Sequence, residues 1–416
     1  MPLELINFRL KAEEIHLEGM PVANRHSVRA VLIGFAMIAA TIALPCDAAA
    51  QAPVKKGSVE KITVHGNALA GNLAGEPADR TVFVYLPPSY GTERNRRYPV
   101  AYLLHGYGLT GERWMTFAKM SEAADRAMAA GTVKEMILVN PDSWTKNGGS
   151  MYSSSPTSGD WETFMAEDLV KYIDSHYRTI ATREGRGLGG HSMGGYGTVR
   201  IGMKRPDVYS SLYIMSACCL MNDPTPRAGG AGRAGAGGQR GAAPAAGAGT
   251  ANGQPAPATD NAAAGQAAPA RGTGDGRAGA AGGRGRGAGG FGNVQLAEAQ
   301  AWSANPNNPP DYADLPVQNG EVQPLIRQKW IANSPLAMLD QHYTNLKKYA
   351  AIAIEVGTMD GLAGSNRDLD KAMTQLGVQH TFETYEGDHT NRVPQRIEEN
   401  VLPFFSKALS FTPSKR

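Results

Sequence analysis

The stretch Arg186 to Lys204, RGLGGHSMGGYGTVRIGMK, decides the fold. At its centre, Gly190-His191-Ser192-Met193-Gly194 sets a serine in the GxSxG pattern, which marks a sharp strand-to-helix turn that pushes the hydroxyl out of the backbone envelope. The flanks agree. Arg186 to Gly190 predicts a short buried strand, and Met193 to Lys204 predicts a helix stopped by Arg205-Pro206. Gly194, Gly195 and Gly197 carry no Cβ, so the helix can start against neighbouring strands while the serine holds a strained conformation. A helix start with Ser192 as an ordinary cap is the bland alternative. Two other glycine-rich readings fail: the run from Gly187 to Ser192 lacks the βαβ unit and acidic ribose ligand of a dinucleotide site, and no Gly-Lys-Ser/Thr follows for a P-loop.

Working outward, Thr81 to Leu86, Pro99 to Leu104, Glu135 to Val139, Tyr209 to Ser216, Ala350 to Val356 and Thr381 to Tyr385 read as strands. Between and after them, Met115 to Ala130, Trp161 to His176, Asn366 to Leu376 and Arg396 to Leu409 read as helices. Strands alternating with helices predict an α/β fold with a mostly parallel, doubly wound sheet.

The ends and the middle of the chain are different in kind. Residues 1–50 form an N-terminal extension and signal peptide: a basic region at Arg25, His26 and Arg29, an apolar run from Ala30 to Leu44, and small residues at Ala48 to Ala50. Translation starting at Met20 suits this better than Met1, since Glu13, Glu14 and Glu18 do not open a signal peptide. A periplasmic or secreted location is therefore expected. An uncleaved anchor is the alternative, and Pro45 before Cys46 fits a lipoprotein site poorly.

Residues 227–293 are dominated by alanine, glycine and proline, with too little large apolar surface to offset roughly 1 to 2 kcal/mol per residue of ordering entropy. They read as a long disordered Gly/Ala/Arg insert between the first part of the domain, 51–226, and the second, 294–416, which opens on a cap-like segment. Its arginines outnumber its aspartates, which suits weak attraction to anionic envelope polymers. The net charge of +3 for 416 residues leaves no basic face elsewhere, so no nucleic-acid partner is expected. Besides Cys46 there are Cys218 and Cys219, adjacent on an expected buried strand. Neighbouring cysteines form a disulfide only with strain, so they are read as small packed hydrophobes. Neither metal nor cofactor is expected, and the oligomeric state is left open.

A serine hydroxyl needs a base to take its proton, and the base needs an acceptor to orient it. In the chain order serine, acid, histidine, the histidines after Ser192 are His342, His380 and His389. His342 precedes the strand expected to carry the acid, and His380 opens a strand. His389, in Gly387-Asp388-His389 after the last strand, is the expected base. Asp360, in the turn after the Ala350 to Val356 strand, is the expected acid. Glu355 is read as structural, and Asp388 is too local to reach around the ring. The oxyanion hole is expected from the backbone N–H groups of Met193 and Tyr107, the latter in His105-Gly106-Tyr107-Gly108; His105 itself is read as structural. Trp144, Tyr152 and Trp302 are candidate substrate-binding rings.

Val84-Tyr85-Leu86-Pro87-Pro88, Tyr98 to Gly106, Trp161-Glu162-Thr163-Phe164, Gly189 to Gly195, Gly357-Thr358-Met359-Asp360 and Gly387-Asp388-His389 together resemble the esterase D and feruloyl esterase branch of the α/β hydrolases, to which secreted mycolyltransferases also belong. The resemblance covers about Val82 to Leu409 apart from the insert. It implies the α/β hydrolase fold, a Ser192–Asp360–His389 triad with Tyr107 and Met193 as oxyanion donors, and no cofactor. It also implies a serine esterase acting on small or carbohydrate-linked esters such as feruloyl or acetyl esters. Acyl transfer to a sugar hydroxyl and a non-catalytic envelope scaffold on a hydrolase shell are the alternatives. The insert and the segment to about Leu339 depart from the family pattern where the substrate pocket is bordered.

Overall fold

The computed structural model describes residues 55–224 and 293–412. The expected signal segment 1–50, the boundary at 226/227 and residues 227–292 of the insert lie outside the described residues.

Eight strands form one sheet: β1 (Ser58–His65), β2 (Asp79–Leu86), β3 (Val100–Leu104), β4 (Ile137–Pro141), β5 (Arg186–His191), β6 (Ser211–Met215), β7 (Ala351–Gly357) and β8 (Thr381–Tyr385), in the order β1-β2-β4-β3-β5-β6-β7-β8. Within this sheet β1 with β2 and β2 with β4 pair antiparallel, and the other neighbours pair parallel. Side chains alternate across the sheet, as a period of two requires. In β3, Val100, Tyr102 and Leu104 enter one core layer while Ala101 and Leu103 enter the other. In β6, Leu212 and Ile214 face the first and Tyr213 and Met215 the second.

Helices cover both faces. Helices α1 (Gly111–Phe117) and α2 (Met120–Ala129) pack Trp114, Met120 and Ala123 against the Ala101–Leu103 side. Helices α3 (Leu169–His176) and α4 (Met193–Lys204) cover the opposite side through Leu169, Ile173, Val199 and Ile201. Beyond the insert, α5 (Val294–Trp302), α6 (Pro324–Ala332), α7 (Pro335–Leu346) and α8 (Ala363–Gln375) join that layer through Trp302, Trp330, Met338 and Leu369. Helix α9 (Leu402–Ala408) returns to the first face with Leu402 and Phe405. This is the doubly wound α/β hydrolase architecture.

Several expected elements differ in detail. The single helix from Met115 to Ala130 is two, because Thr110 accepts the Arg113 N–H and starts α1 early, while Lys119 at φ 47° breaks the run. The helices read from Trp161 and Arg396 each contain a wider turn, at Phe164–Asp168 and Ile397–Val401. In the second, Pro403 has no N–H to give to the carbonyl of Glu399. Strand β6 stops at Met215, so Cys218 and Cys219 lie in the loop beyond it and not on a strand. Asn293, counted with the insert, caps α5 and donates from Nδ2 to Asn147 Oδ1 over 3.0 Å, so it belongs to the folded body.

Candidate active site

Ser192 stands between β5 and α4 at φ 59° and ψ −114°, a conformation that costs an L-residue on the order of 1–3 kcal/mol. The surroundings hold it there. Its N–H donates to Met215 O over 3.0 Å, and its carbonyl accepts from Tyr196 N at 3.0 Å and Cys218 N at 3.1 Å. A Cβ on Gly194 would overlap the Leu104 carbonyl, which is why the first turn of α4 can lie on β3 only with glycine there. The hydroxyl therefore emerges at the carboxyl edge of the parallel strands, where open α/β sheets assemble their sites.

His389 and Asp360, the expected base and acid, arrive on loops from the same edge. His389 Nε2 is 2.9 Å from Ser192 Oγ, and His389 Nδ1 is 2.8 Å from Asp360 Oδ2. The loops after β7 and β8 are laced together: Thr358 N donates to Tyr385 O over 2.8 Å and Met359 N to Gly387 O over 2.9 Å. Asp388 shapes the histidine turn by accepting Thr390 N and Asn391 N, each at 2.8 Å, and those backbone donors hold its carboxyl below the usual range. Burial works against ionisation of Asp360. The His389 hydrogen bond and charge, with the Leu362 N–H at 2.8 Å on Oδ1, outweigh it and hold that carboxyl below its ordinary value.

One residue of this cluster is not among the expected site residues. His191 Nε2 lies 2.8 Å from the backbone carbonyl of His389, so its N–H donates to the loop that carries the imidazole. Burial first, and the neighbouring His389 second, push His191 down to about 3, so it is neutral at ordinary pH. The signal was available, since His191 sits inside the quoted GxSxG pattern; what it touches was not.

At the expected oxyanion side, Gly106 is so close to Ser192 that a Cβ there would stand 3.3 Å from Ser192 Cβ. That puts Tyr107 beside the serine, and its hydroxyl donates to Asn147 O over 2.6 Å. Met193 heads α4 directly after the serine. His105 is buried, with Nδ1 2.8 Å from Gly106 O and Nε2 accepting Ser143 N at 2.9 Å, a structural brace for this loop.

Of the three candidate rings, Trp144 is 37% exposed and lines a surface groove with Leu109, Arg113 and Phe117. The reading is corrected for the other two, which have no ring face left to offer. Tyr152 is fully buried with its hydroxyl on the His105 carbonyl at 3.2 Å. Trp302 is buried beside Tyr196 and Trp330, its indole N–H on Ser153 Oγ at 3.2 Å. His380 is held at Val378 O and Asp370, and Glu355 is buried on Tyr213 and Arg396, both away from the serine–histidine pair. Among the described residues, no group of three His, Cys, Asp or Glu side chains has the arrangement of a metal site.

The Esterase family profile matches residues 76–393. An endo-1,4-beta-xylanase/feruloyl esterase of Xylanibacter ruminicola is 30% identical over 162 residues, 38% of this chain and 22% of that protein. An esterase of Mycobacterium tuberculosis is 38% identical over 128 residues, 30% of this chain and 26% of the other. An S-formylglutathione hydrolase of Paracoccus denitrificans is 27% identical over 143 residues, 32% of this chain and 50% of its own. The chain thus spans about half or less of the length of these curated relatives. A solved ferulic acid esterase shares the fold at TM-score 0.55 and 20% identity, covering 85% of this chain and 99% of that one. A fluorophosphonate-binding serine hydrolase of Staphylococcus aureus does so at TM-score 0.52 and 15% identity, covering 84% and 99%.

Proposed function

The chain belongs to the Esterase family, and on that premise we propose that it hydrolyses carboxylic esters through an acyl-enzyme on Ser192. The observation that carries this is the continuous hydrogen-bonded line from Ser192 Oγ through His389 to Asp360, at 2.9 and 2.8 Å. In this reading His389 Nε2 takes the hydroxyl proton as Oγ attacks the ester carbonyl, and later returns it to the leaving alkoxide. Asp360, ionised at neutral pH, accepts the Nδ1–H and stabilises the imidazolium as it forms. The Met193 and Tyr107 N–H groups stabilise the tetrahedral oxyanion, each worth roughly a hundredfold or more in rate. Water then attacks the acyl-enzyme with His389 as base, releasing the free acid.

As substrate we assign an aryl or acyl ester linked to carbohydrate, met outside the cytoplasm after export by the N-terminal segment. The feruloyl esterase relatives support the class, and Trp144, part-exposed in the groove it shares with Leu109, is the residue proposed to stack on it. A panel of nitrophenyl, feruloyl and acetyl-sugar esters against purified protein tests this. Free acid from the feruloyl or acetyl-sugar esters is the expected result. No turnover of any ester refutes the activity, and acyl transfer to added sugar in place of hydrolysis makes the chain a transferase.

A further inference from the structure

Cys218 and Cys219 form a pair that the ester chemistry does not use. Cys218 is buried and Cys219 is half-buried. Their Sγ atoms are 2.6 Å apart. Cys219 Sγ is also 3.7 Å from Glu298 Oε1 on α5, a carboxyl that burial pushes up to about 7. The hydrogen bond to Cys218, then burial, raises the Cys219 thiol well above its ordinary range. It is not a resting thiolate, and it needs a proton acceptor to react. Glu298 is placed to be that acceptor.

We propose that Cys218 and Cys219 are a reversible thiol–disulfide site, oxidised by a small-molecule disulfide, and that closing it slows turnover at Ser192. The second half rests on Ser192 being the nucleophile; the first does not. Cys219 Sγ attacks one sulfur of the external disulfide while the Glu298 carboxylate takes its proton. The S–S bond of the reagent breaks, and its far sulfur leaves as a thiolate that is protonated from solvent. Cys218 Sγ gives its proton to solvent and attacks Cys219 Sγ; the bond from Cys219 Sγ to the reagent sulfur breaks, and that second sulfur leaves as a thiolate that takes up a proton from solvent. Two cysteine thiols are oxidised, and one external disulfide is reduced to two thiols.

Adjacent Cα atoms are about 3.80 Å apart across a trans peptide, shorter than the roughly 4.4–6.8 Å that disulfides usually span. The closed pair is therefore strained. Strained disulfides have oxidising potentials and are easily reduced, which suits a switch and not a brace. Closure also has a short route to the nucleophile: the Cys218 N–H donates to the Ser192 carbonyl at 3.1 Å, so pulling on the Cys218–Cys219 peptide loads the turn that holds the serine.

The test uses the full chain with Cys46→Ala, leaving one pair. Treatment with oxidised glutathione is expected to remove the mass of two hydrogens, to block both thiols against iodoacetamide, and to lower kcat on nitrophenyl acetate by about threefold or more, all reversed by dithiothreitol. Adding Cys219→Ser should abolish the mass loss and the response to oxidant, and Glu298→Gln should slow oxidation about threefold or more. Two thiols that still alkylate, a stable glutathione adduct, or a dimer linked between chains would overturn the site. Mass loss with unchanged kcat would overturn its coupling to Ser192. Mass loss in a protein inactive before oxidation would uphold the thiol pair and count against the esterase reading alone.

Discussion

The His191 Nε2–H donates to the carbonyl oxygen of His389 across 2.8 Å, joining the residue before the proposed nucleophile to the backbone of the proposed base, 198 positions later in the chain. The two ring centroids lie 4.6 Å apart, and His191 is also stacked on Trp114 with centroids 6.0 Å apart. A neutral imidazole thus sets the height of the His389 loop above Ser192.

Replacing His191 by alanine is therefore expected to lower kcat by roughly ten- to a hundredfold with little change in KM, since imidazole position and not ester binding is lost. Steady-state kinetics on a nitrophenyl ester decide it; unchanged kcat would make His191 mere packing. The same residue shapes acid stability. Unfolded, it binds a proton below about 6.5, whereas in the native fold it resists until about 3. The unfolded state then holds more protons, so stability is full above that upper limit and declines as pH falls through the window. Melting scans across it should be shallower for His191→Gln than for the wild type.

Ser192→Ala and His389→Ala should leave folded protein with turnover reduced by on the order of a millionfold, and Asp360→Asn by about a thousandfold or more. His380→Ala should instead lower the melting temperature, because His380 bridges Val378 O and Asp370. If His380→Ala abolished turnover and His389→Ala did not, the base would be misassigned.

Glu355 lies within β7, the strand that leads to Asp360, but its carboxylate is bound to Tyr213 OH at 2.6 Å and to Arg396 Nη2 at 2.5 Å. Removing one partner of a buried ion pair costs on the order of 3–5 kcal/mol. Glu355→Ala should show that loss in denaturant titration while the pH profile of the remaining folded enzyme keeps its shape. A changed profile would bring Glu355 into the proton chemistry.

Exchange of residues 227–292 for a short Gly/Ser linker should change turnover on a small ester and the melting temperature little, because loop closure costs only about 0.6 kcal/mol per doubling of length. Asn293 must be kept, since it holds the Asn147 loop against α5. The deletion should also weaken any salt-sensitive binding to anionic polymers. Lost turnover would mean that the segment contributes to the site.

What the chain declares by itself is local. The Ser192 turn, helix α4 and strand β8 are legible because glycine placement, proline stops and residue periodicity act over a few neighbouring positions, and α4 and β8 have the expected bounds. The alternation of strand and helix predicts the parallel sheet for the same reason, and chain order with the family resemblance picks out Asp360 and His389. What the fold alone decided is contact between distant segments: the break at Lys119, the neutral His191 under His389, the burial of Tyr152 and Trp302, and the meeting of Cys219 with Glu298 across the insert. An exposed tryptophan and a buried one have the same composition and propensity. Only the packing of segments brought together from far along the chain sets which of them faces solvent, and which polar groups find each other.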